Sequence, residues 1–283
     1  MVDMATSMAQ IVDLNRYPVD KPDTSMASEL LEKCRNESAM TGLCMLPGFV
    51  HPKIIATMTR EAESLIDNAS RFDIGRTAYI EPIDSSLPND HPRRVKHPTK
   101  YHQVLNYQIP NNSMLRQLFY WQPLTDFLGR AMGYEKFYRC DCPHLALTIK
   151  IAGQGDTDGW HYDSNEAVFS ILLQDAEEGG EFELLPNIRQ NGEENYDIVT
   201  AAFDDPKPYS IRHKIKPGTL VMFKGRTSLH RVTPVQGLKR RIIALLSYHT
   251  APGHTNSQGY ISLVHSQMPV PGIADAVNKY QVD

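Results

Sequence analysis

The segment Trp160-His161-Tyr162-Asp163 carries two groups that can share one metal ion, and His230, within Thr227-Ser228-Leu229-His230-Arg231, can supply a third. In an extended segment side chains alternate, so His161 and Asp163 project to one side while Tyr162 turns away and is read as a packing residue. The third ligand must come from a strand that folding brings alongside. Two imidazoles and a carboxylate on one face of an octahedral ion leave three positions for other ligands, where chemistry would take place. A His-x-Asp pair alone says little in a chain with eleven histidines. Its surroundings say more.

Leu145 to Ile151 reads as a strand, and Gly153 to Gly159 as a Gly/Asp-rich turn that delivers His161. Ala167 to Gln174 reads as the next strand, Glu178-Gly179-Gly180 as a turn, and Glu181 to Leu185 as a short alternating strand ended by Pro186. Lys216-Pro217-Gly218 marks another turn before the apolar run Thr219 to Phe223. His230 follows Gly225, and Arg240 to Tyr248 closes the series. Short strands at this spacing argue for an antiparallel barrel or sandwich.

Ahead of these strands, helices are expected over Ser25 to Ser38, from His51-Pro52 to about Ser70, and over Ser113 to Met132, with a strand in Thr41 to Val50. Residues 71–110, rich in Pro, His and Arg, read as a long irregular excursion, which is uncommon in a compact domain unless it has a task. The chain is thus read as one mostly β domain, 1–283, with flanking helices. Its helical N-terminal part runs to about 135, the β core spans about 136–250, and a tail of about 251–283 lies over the barrel.

The order His161-x-Asp163, then Gly179-Gly180-Glu181-Phe182-Glu183-Leu184-Leu185-Pro186, then Pro217-Gly218-Thr219-Leu220, then His230 and a basic residue on the next strand resembles the Fe(II)/2-oxoglutarate-dependent dioxygenases over about residues 140–250. The resemblance implies a double-stranded β-helix, or jelly roll, with Fe(II) at His161, Asp163 and His230, and with 2-oxoglutarate and O2 as co-substrates. Asp90-His91-Pro92-Arg93-Arg94, Pro186-Asn187-Ile188-Arg189 and Phe223 to Val232 are similar to a subgroup that hydroxylates, halogenates or cyclises free amino acids. That implies oxidation of an aliphatic C–H in a small molecule, a free amino acid or a derivative, by hydroxylation. Ring closure, such as aziridine formation, or desaturation in natural-product biosynthesis are the alternatives. In the related halogenases the carboxylate position is vacated to admit chloride; here Asp163 fills it, so halogenation is not expected. A cupin-like protein could share the jelly roll and the metal without catalysis, but would not need a cation for a co-substrate carboxylate.

That cation is sought at Arg240 or Arg241. Neighbouring strand residues face opposite sides, so at most one shares the metal's side of the sheet. If Gln236-Gly237 is a two-residue hairpin loop, Val232 pairs with Arg241, which puts Arg241 on the face of His230. Arg241 is chosen, and its guanidinium fork suits a carboxylate held by two hydrogen bonds. Thr148, which shares a face with Lys150, is a further candidate contact to 2-oxoglutarate. For a substrate carboxylate the candidates are Arg93 and Arg94 in the excursion, then Arg189. Glu181 and Glu183 are expected on one face of their strand, facing solvent or a substrate amine.

Composition narrows the class. With 29 basic and 33 acidic side chains the net charge is −4, too balanced to point to nucleic acid. No apolar run is long enough to span a bilayer and Met1 to Gln10 has no signal-peptide pattern. Cys34, Cys44, Cys140 and Cys142 lack metal-binding spacing, and reduced thiols in a cytoplasmic protein are expected. Nothing in the sequence fixes an oligomeric state.

Overall fold

The computed structural model describes residues 7–79, 83–164, 167–190 and 192–267. Its strands are β1 (Leu43–Leu46), β2 (Ser70–Thr77), β3 (Lys96–Val104), β4 (Tyr138–Arg139), β5 (Leu147–Ala152), β6 (Thr157–His161), β7 (Ala167–Gln174), β8 (Glu178–Gly179), β9 (Phe182–Leu185), β10 (Ile211–His213), β11 (Leu220–Phe223), β12 (Leu229–Val232), β13 (Val235–Gln236) and β14 (Arg241–His249). Helices are α1 (Met8–Ile11), α2 (Ser25–Thr41), α3 (Pro52–Ser64), α4 (Met114–Tyr120), α5 (Gln122–Met132), α6 (Tyr196–Asp204) and α7 (Gln258–Ser266).

The main strands form one antiparallel path, β1-β11-β7-β14-β5-β3-β6-β12-β9-β10. The path curls so that β11-β7-β14-β5 and β6-β12-β9 line a common cavity, a jelly roll, with β10 at the outer edge of the second half, and β3 clasps the two halves by pairing with both β5 and β6. Alternation along each strand sorts side chains between cavity and exterior. On β14, Arg241, Ile243 and Leu245 face the cavity, while Ile242, Ala244 and Leu246 join the outer core. On β11, Val221 and Phe223 face inward, while Leu220 and Met222 face out.

The outer face of the first half is covered by α2, α3, α4 and α5, whose Leu30, Cys34, Ile55, Met58, Leu118 and Leu128 pack on Ile149, Phe169 and Leu246. Such helices owe their stability mainly to this buried stripe rather than to propensity. Helix α2 stops at Gly42, whose φ of 74° is left-handed and where a Cβ would lie 2.3 Å from that of Pro186. The expected helix Ser113 to Met132 is two helices, because Pro123 has no N–H to donate to Phe119 and its ring crowds that carbonyl. The second half is covered by α6, with Val199 and Ala202 against Trp160, Leu185 and Leu229; this helix was not anticipated.

Residues 71–110 are not an irregular excursion throughout. β2 and β3 pair in register from Ser70↔Gln103 to Thr77↔Lys96, and residues 83–95 between them form turns and irregular backbone. The buried face of β3 carries Thr99, Tyr101 and Gln103; Tyr101 lines the inner cavity and Thr99 accepts a hydrogen bond from Arg76, so no apolar alternation marks the strand. The expected tail contains α7, seated on β2 through the Arg71 N–H to Gln267 carbonyl bond of 2.7 Å. Residues 268–283, with Pro269 and Pro271, lie outside the described residues. Among the described residues no helix is long and apolar enough to cross a membrane.

His97 on β3 is held against Gly159 and Phe203 with its Nε2 unpartnered among the described residues. Burial, then the nearby Arg231 and Arg76, push its pKa from 6.5 down to about 4. The fold therefore favours the neutral imidazole: its contribution is complete above about pH 6.5 and lost as the pH falls toward about 4, at most roughly 2–3 kcal/mol. Urea unfolding at pH 7 and pH 4.5 should show the parent losing more stability than His97→Phe. Equal losses would remove His97 from the acid response.

Candidate metal centre and co-substrate cavity

His161 ends β6 and His230 lies on β12, directly paired across the ladder, with ring centroids 4.1 Å apart. Asp163 follows two residues after His161, its Oδ1 3.9 Å from His161 Nε2 and 3.6 Å from His230 Nε2. One donor atom from each residue lies within 4.8 Å of the others. The outer nitrogens are committed elsewhere: His161 Nδ1 meets the Gly159 carbonyl at 2.7 Å and His230 Nδ1 meets the Ser228 carbonyl at 3.0 Å. With the protons on those nitrogens, each Nε2 lone pair is left for a metal, while the backbone carbonyl fixes the ring's orientation, as is usual for histidine ligands. Burial pushes the His161 pKa well below its usual value, keeping the ring neutral. Burial opposes ionisation of Asp163, but the facing histidines hold its pKa down to about 2. The residues fit a divalent ion with three open positions, for which Fe(II) is the expected metal.

Asp163 is seated by Gly225. Its N–H donates to the Gly225 carbonyl at 3.0 Å, and a Cβ at 225 would lie 1.9 Å from Asp163 Oδ2. Only a residue without a side chain leaves room for the carboxylate. Tyr162, between the two ligands, is buried with Tyr79 and Trp160.

Across a cavity of about 80 Å³ from the triad stands Arg241, 4 % exposed. Its guanidinium has no hydrogen-bond or ion-pair partner among the described residues, and burial, opposed by the charges of Asp175 and Asp158, pushes its pKa down to about 10. Gly180 makes space for it, since a Cβ there would lie 2.9 Å from Arg241 Cδ. Arg240 is exposed. The hairpin register that selected Arg241 does not exist: β12 pairs with β6 and β9, β14 with β5 and β7, and the chain between them crosses from one half to the other. Alternation along β14 alone puts Arg241 on the cavity side. Thr148, opposite Leu245, is buried but does not line the cavity; Lys150 does.

A wider cleft of about 560 Å³ meets the triad from outside, sharing Lys150, His161 and Asp163 with the inner cavity. Its other walls are Arg76, Tyr162, Ser164 and residues from His254 to Leu263. Asp158 joins the cations: Arg76 Nη2 approaches its Oδ1 at 2.9 Å, Lys150 Nζ its Oδ2 at 2.6 Å, and Arg76 Nε donates to Thr99 Oγ1 at 3.0 Å. Burial would raise the Asp158 pKa, but Lys150, His161 and Arg76 hold it well below the carboxylate range. One carboxylate thus serves two cations, leaving an excess positive charge beside the metal position. Simple alternation would separate Asp158 from His161. They share the cavity because β6 bulges against β12, where His230 pairs with His161 and Val232 with Asp158.

None of the three arginines expected at the substrate lines this cleft. Arg94 bonds the carbonyls of Ser85 and Leu87 within its own turn. Arg93 sits half-buried beside His91, whose Nδ1 accepts its backbone N–H. Arg189 is tied to Glu194 at 2.8 Å and covers the Tyr162 ring from 4.2 Å. Glu183 is buried, not solvent-facing, and is held by Ser210, Arg212 and two bonds from Arg231; Glu181 meets Arg212 at the surface. Arg76, Asp158 and the wall at 254–263 were missed, and only the clustering of charges around the metal motif could have hinted at Asp158.

A jelly roll that carries metal donors on one half and a bare buried cation on the other has the architecture of Fe(II)/2-oxoglutarate oxygenases. The chain belongs to the Halogenase D family, whose model matches residues 26–260. No curated protein sequence matches it. Among solved structures it is similar to the non-haem α-ketoglutarate-dependent epimerase SnoN from nogalamycin biosynthesis, with TM-score 0.56, 14 % identity, and 79 % of this chain and 84 % of that one covered. The carbocyclase SnoK from the same biosynthesis gives 0.54 and 15 %, covering 85 % and 93 %. A prolyl hydroxylase from Trichoplax adhaerens gives 0.51 and 13 %, covering 82 % and 96 %. At these identities the likeness is one of fold.

Proposed function

We propose that the protein is an Fe(II)/2-oxoglutarate-dependent oxygenase that oxidises an aliphatic C–H of a small molecule, a free amino acid or close derivative, by hydroxylation. The observation that carries this is Arg241: a buried guanidinium with no partner among the described residues, facing a metal triad across a cavity, calls for an anionic ligand that reaches the metal. His161, Asp163 and His230 would hold Fe(II), which when loaded supplies oxidative decarboxylation of 2-oxoglutarate coupled to C–H oxidation. Arg241 anchors the co-substrate's far carboxylate, and the apolar walls Val168, Val221, Phe223, Ile243 and Leu245 keep bulk water from it. On the outer side, Arg76 and Lys150 supply the excess positive charge that a substrate carboxylate needs.

The family's name favours a second reading, halogenation. Asp163, seated in the ligand set, stands where a halide would need an open position, so oxidation without halide is preferred. Ring closure and desaturation use the same site and differ in how the substrate is held.

The test is a screen of free amino acids with Fe(II), 2-oxoglutarate and oxygen, following succinate and product mass. Succinate above the substrate-free level with a product heavier by one oxygen is expected. A product lighter by two hydrogens means ring closure or desaturation. No substrate-dependent succinate from any amino acid would overturn the substrate class. For an amino acid that turns over, Arg76→Gln should weaken substrate binding roughly 10- to 100-fold with little change in 2-oxoglutarate affinity, whereas Arg93→Ala and Arg94→Ala should bind as the parent does. The opposite ranking would return the role to residues 93 and 94.

A further inference from the structure

Helix α7 presents two faces. Ile261 and Val264 are buried against the core, the Gln267 carbonyl just beyond the helix accepts the Arg71 N–H, and His265 Nε2 lies 3.2 Å from His144 Nδ1, which together fix the rotation of the helix. The other face, with Tyr260 and Leu263 one turn apart, forms part of the outer cleft. Tyr260 is half-buried, and its phenol is close enough to act on the charges of Arg76 and Lys150 in the cleft and on Tyr101 in the inner cavity. Its hydroxyl end is therefore turned toward the place where the two spaces meet, and it has no hydrogen-bond partner among the described residues. Neither cation can accept its proton, and both Asp158 oxygens already receive a cation. A neutral donor thus stands beside an excess of positive charge, where an anion drawn to that charge would meet it.

We propose that Tyr260 is a further specificity-determining residue, its hydroxyl donating a hydrogen bond to the substrate carboxylate that Arg76 and Lys150 attract. This rests on the reading of the outer cleft as a substrate site for amino acids, and adds a donor from α7, an element that sequence patterning did not reveal. A carboxylate has more acceptor positions than two cations already shared with Asp158 can fill, and a phenol fills one without bringing another charge to be desolvated. The amino amide of the same side chain keeps the shape but loses the anionic acceptor. A donor placed for a carboxylate discriminates between them, because hydrogen bonds to charged groups are worth more than neutral ones.

The experiment uses the full chain loaded with redox-inert Zn(II) and 2-oxoglutarate, so that binding is read without turnover. Ligand-observed NMR and calorimetry would compare the common free amino acids with the amino amides bearing the same side chains, for the parent, Tyr260→Phe, Arg76→Gln and the double variant. Tyr260→Phe keeps the ring and its packing and removes only the hydroxyl. It should weaken the best-bound amino acid about tenfold or more while leaving the matched amide nearly unchanged. Because both residues act on one carboxylate, the double variant should lose less than the product of the two single losses. Unchanged amino acid affinity in Tyr260→Phe, equal losses for acid and amide, single losses that simply multiply, or no amino acid binding to the parent would each overturn the proposal. If Arg76→Gln weakens binding and Tyr260→Phe does not, Tyr260 is dismissed and the substrate site stands. If no amino acid binds while 2-oxoglutarate does in the same samples, the amino-acid reading falls with the proposal and the co-substrate site stands.

Discussion

His161→Ala and His230→Ala should each leave a folded protein that no longer holds Fe(II) in stoichiometric amount and gives no metal-dependent turnover. The two imidazoles are paired across β6 and β12 and each is oriented by a backbone carbonyl, so loss of either removes a preset donor that solvent replaces only with water. Disturbing an outer partner of a metal ligand commonly costs 10- to 100-fold in affinity, and removing the ligand itself should cost more. Metal content after gel filtration, together with succinate formation, decides the matter. Normal iron content and turnover in both variants would mean that the triad is not the metal site.

Arg241→Ala should raise the concentration of 2-oxoglutarate needed for half-maximal binding far more than that of substrate. The loss should be on the order of 2–5 kcal/mol, the usual consequence of removing one partner of a desolvated charge pair. Arg241 supplies the only cationic side chain on β14 facing the cavity, while the exposed Arg240 bonds Gln174 through its carbonyl, so Arg240→Ala should change little. Arg241→Lys should recover part of the affinity, since it returns the charge but not the planar fork. Titration of 2-oxoglutarate into the Zn(II)-loaded variants separates these outcomes. A larger loss at Arg240 than at Arg241 would exclude Arg241 as the anchor.

The sequence exposed those parts of the fold that obey simple periodicities. Ala167 to Gln174 and Thr219 to Phe223 are rich in β-branched and aromatic residues because both faces of β7 and β11 are covered, one by helices and one by the cavity. The glycine signals near 153–155 and 216–218 marked where strands end, whereas Glu178-Gly179, read as a turn, pairs with Val235-Gln236 as the short strand β8, and β6 already begins at Thr157 inside the stretch read as a turn. The β2–β3 hairpin stayed hidden because its inner face is built from site residues such as Tyr101 and Thr99, and a polar interior removes the signal on which a strand is recognised. Helix α7 was hidden for another reason: only Ile261 and Val264 are buried on it, too few to set a stripe. The placement of Asp158 was masked by a bulge, which reverses the parity that alternation assumes. Arg241 could be singled out, but through a hairpin that the jelly-roll crossing does not contain.

Gly225 gives the carboxylate ligand its setting, and it also determines what remains when that carboxylate is taken away. Deleting the side chain of Asp163 would leave two residues without Cβ atoms confronting each other, with backbone on one side and the outer cleft on the other. Such a hollow is polar and open, so hydration fills it readily. Lys150 and Arg76 beside it attract anions in general but shape no seat for a halide in particular, so a halide would compete there with water and with every other small anion.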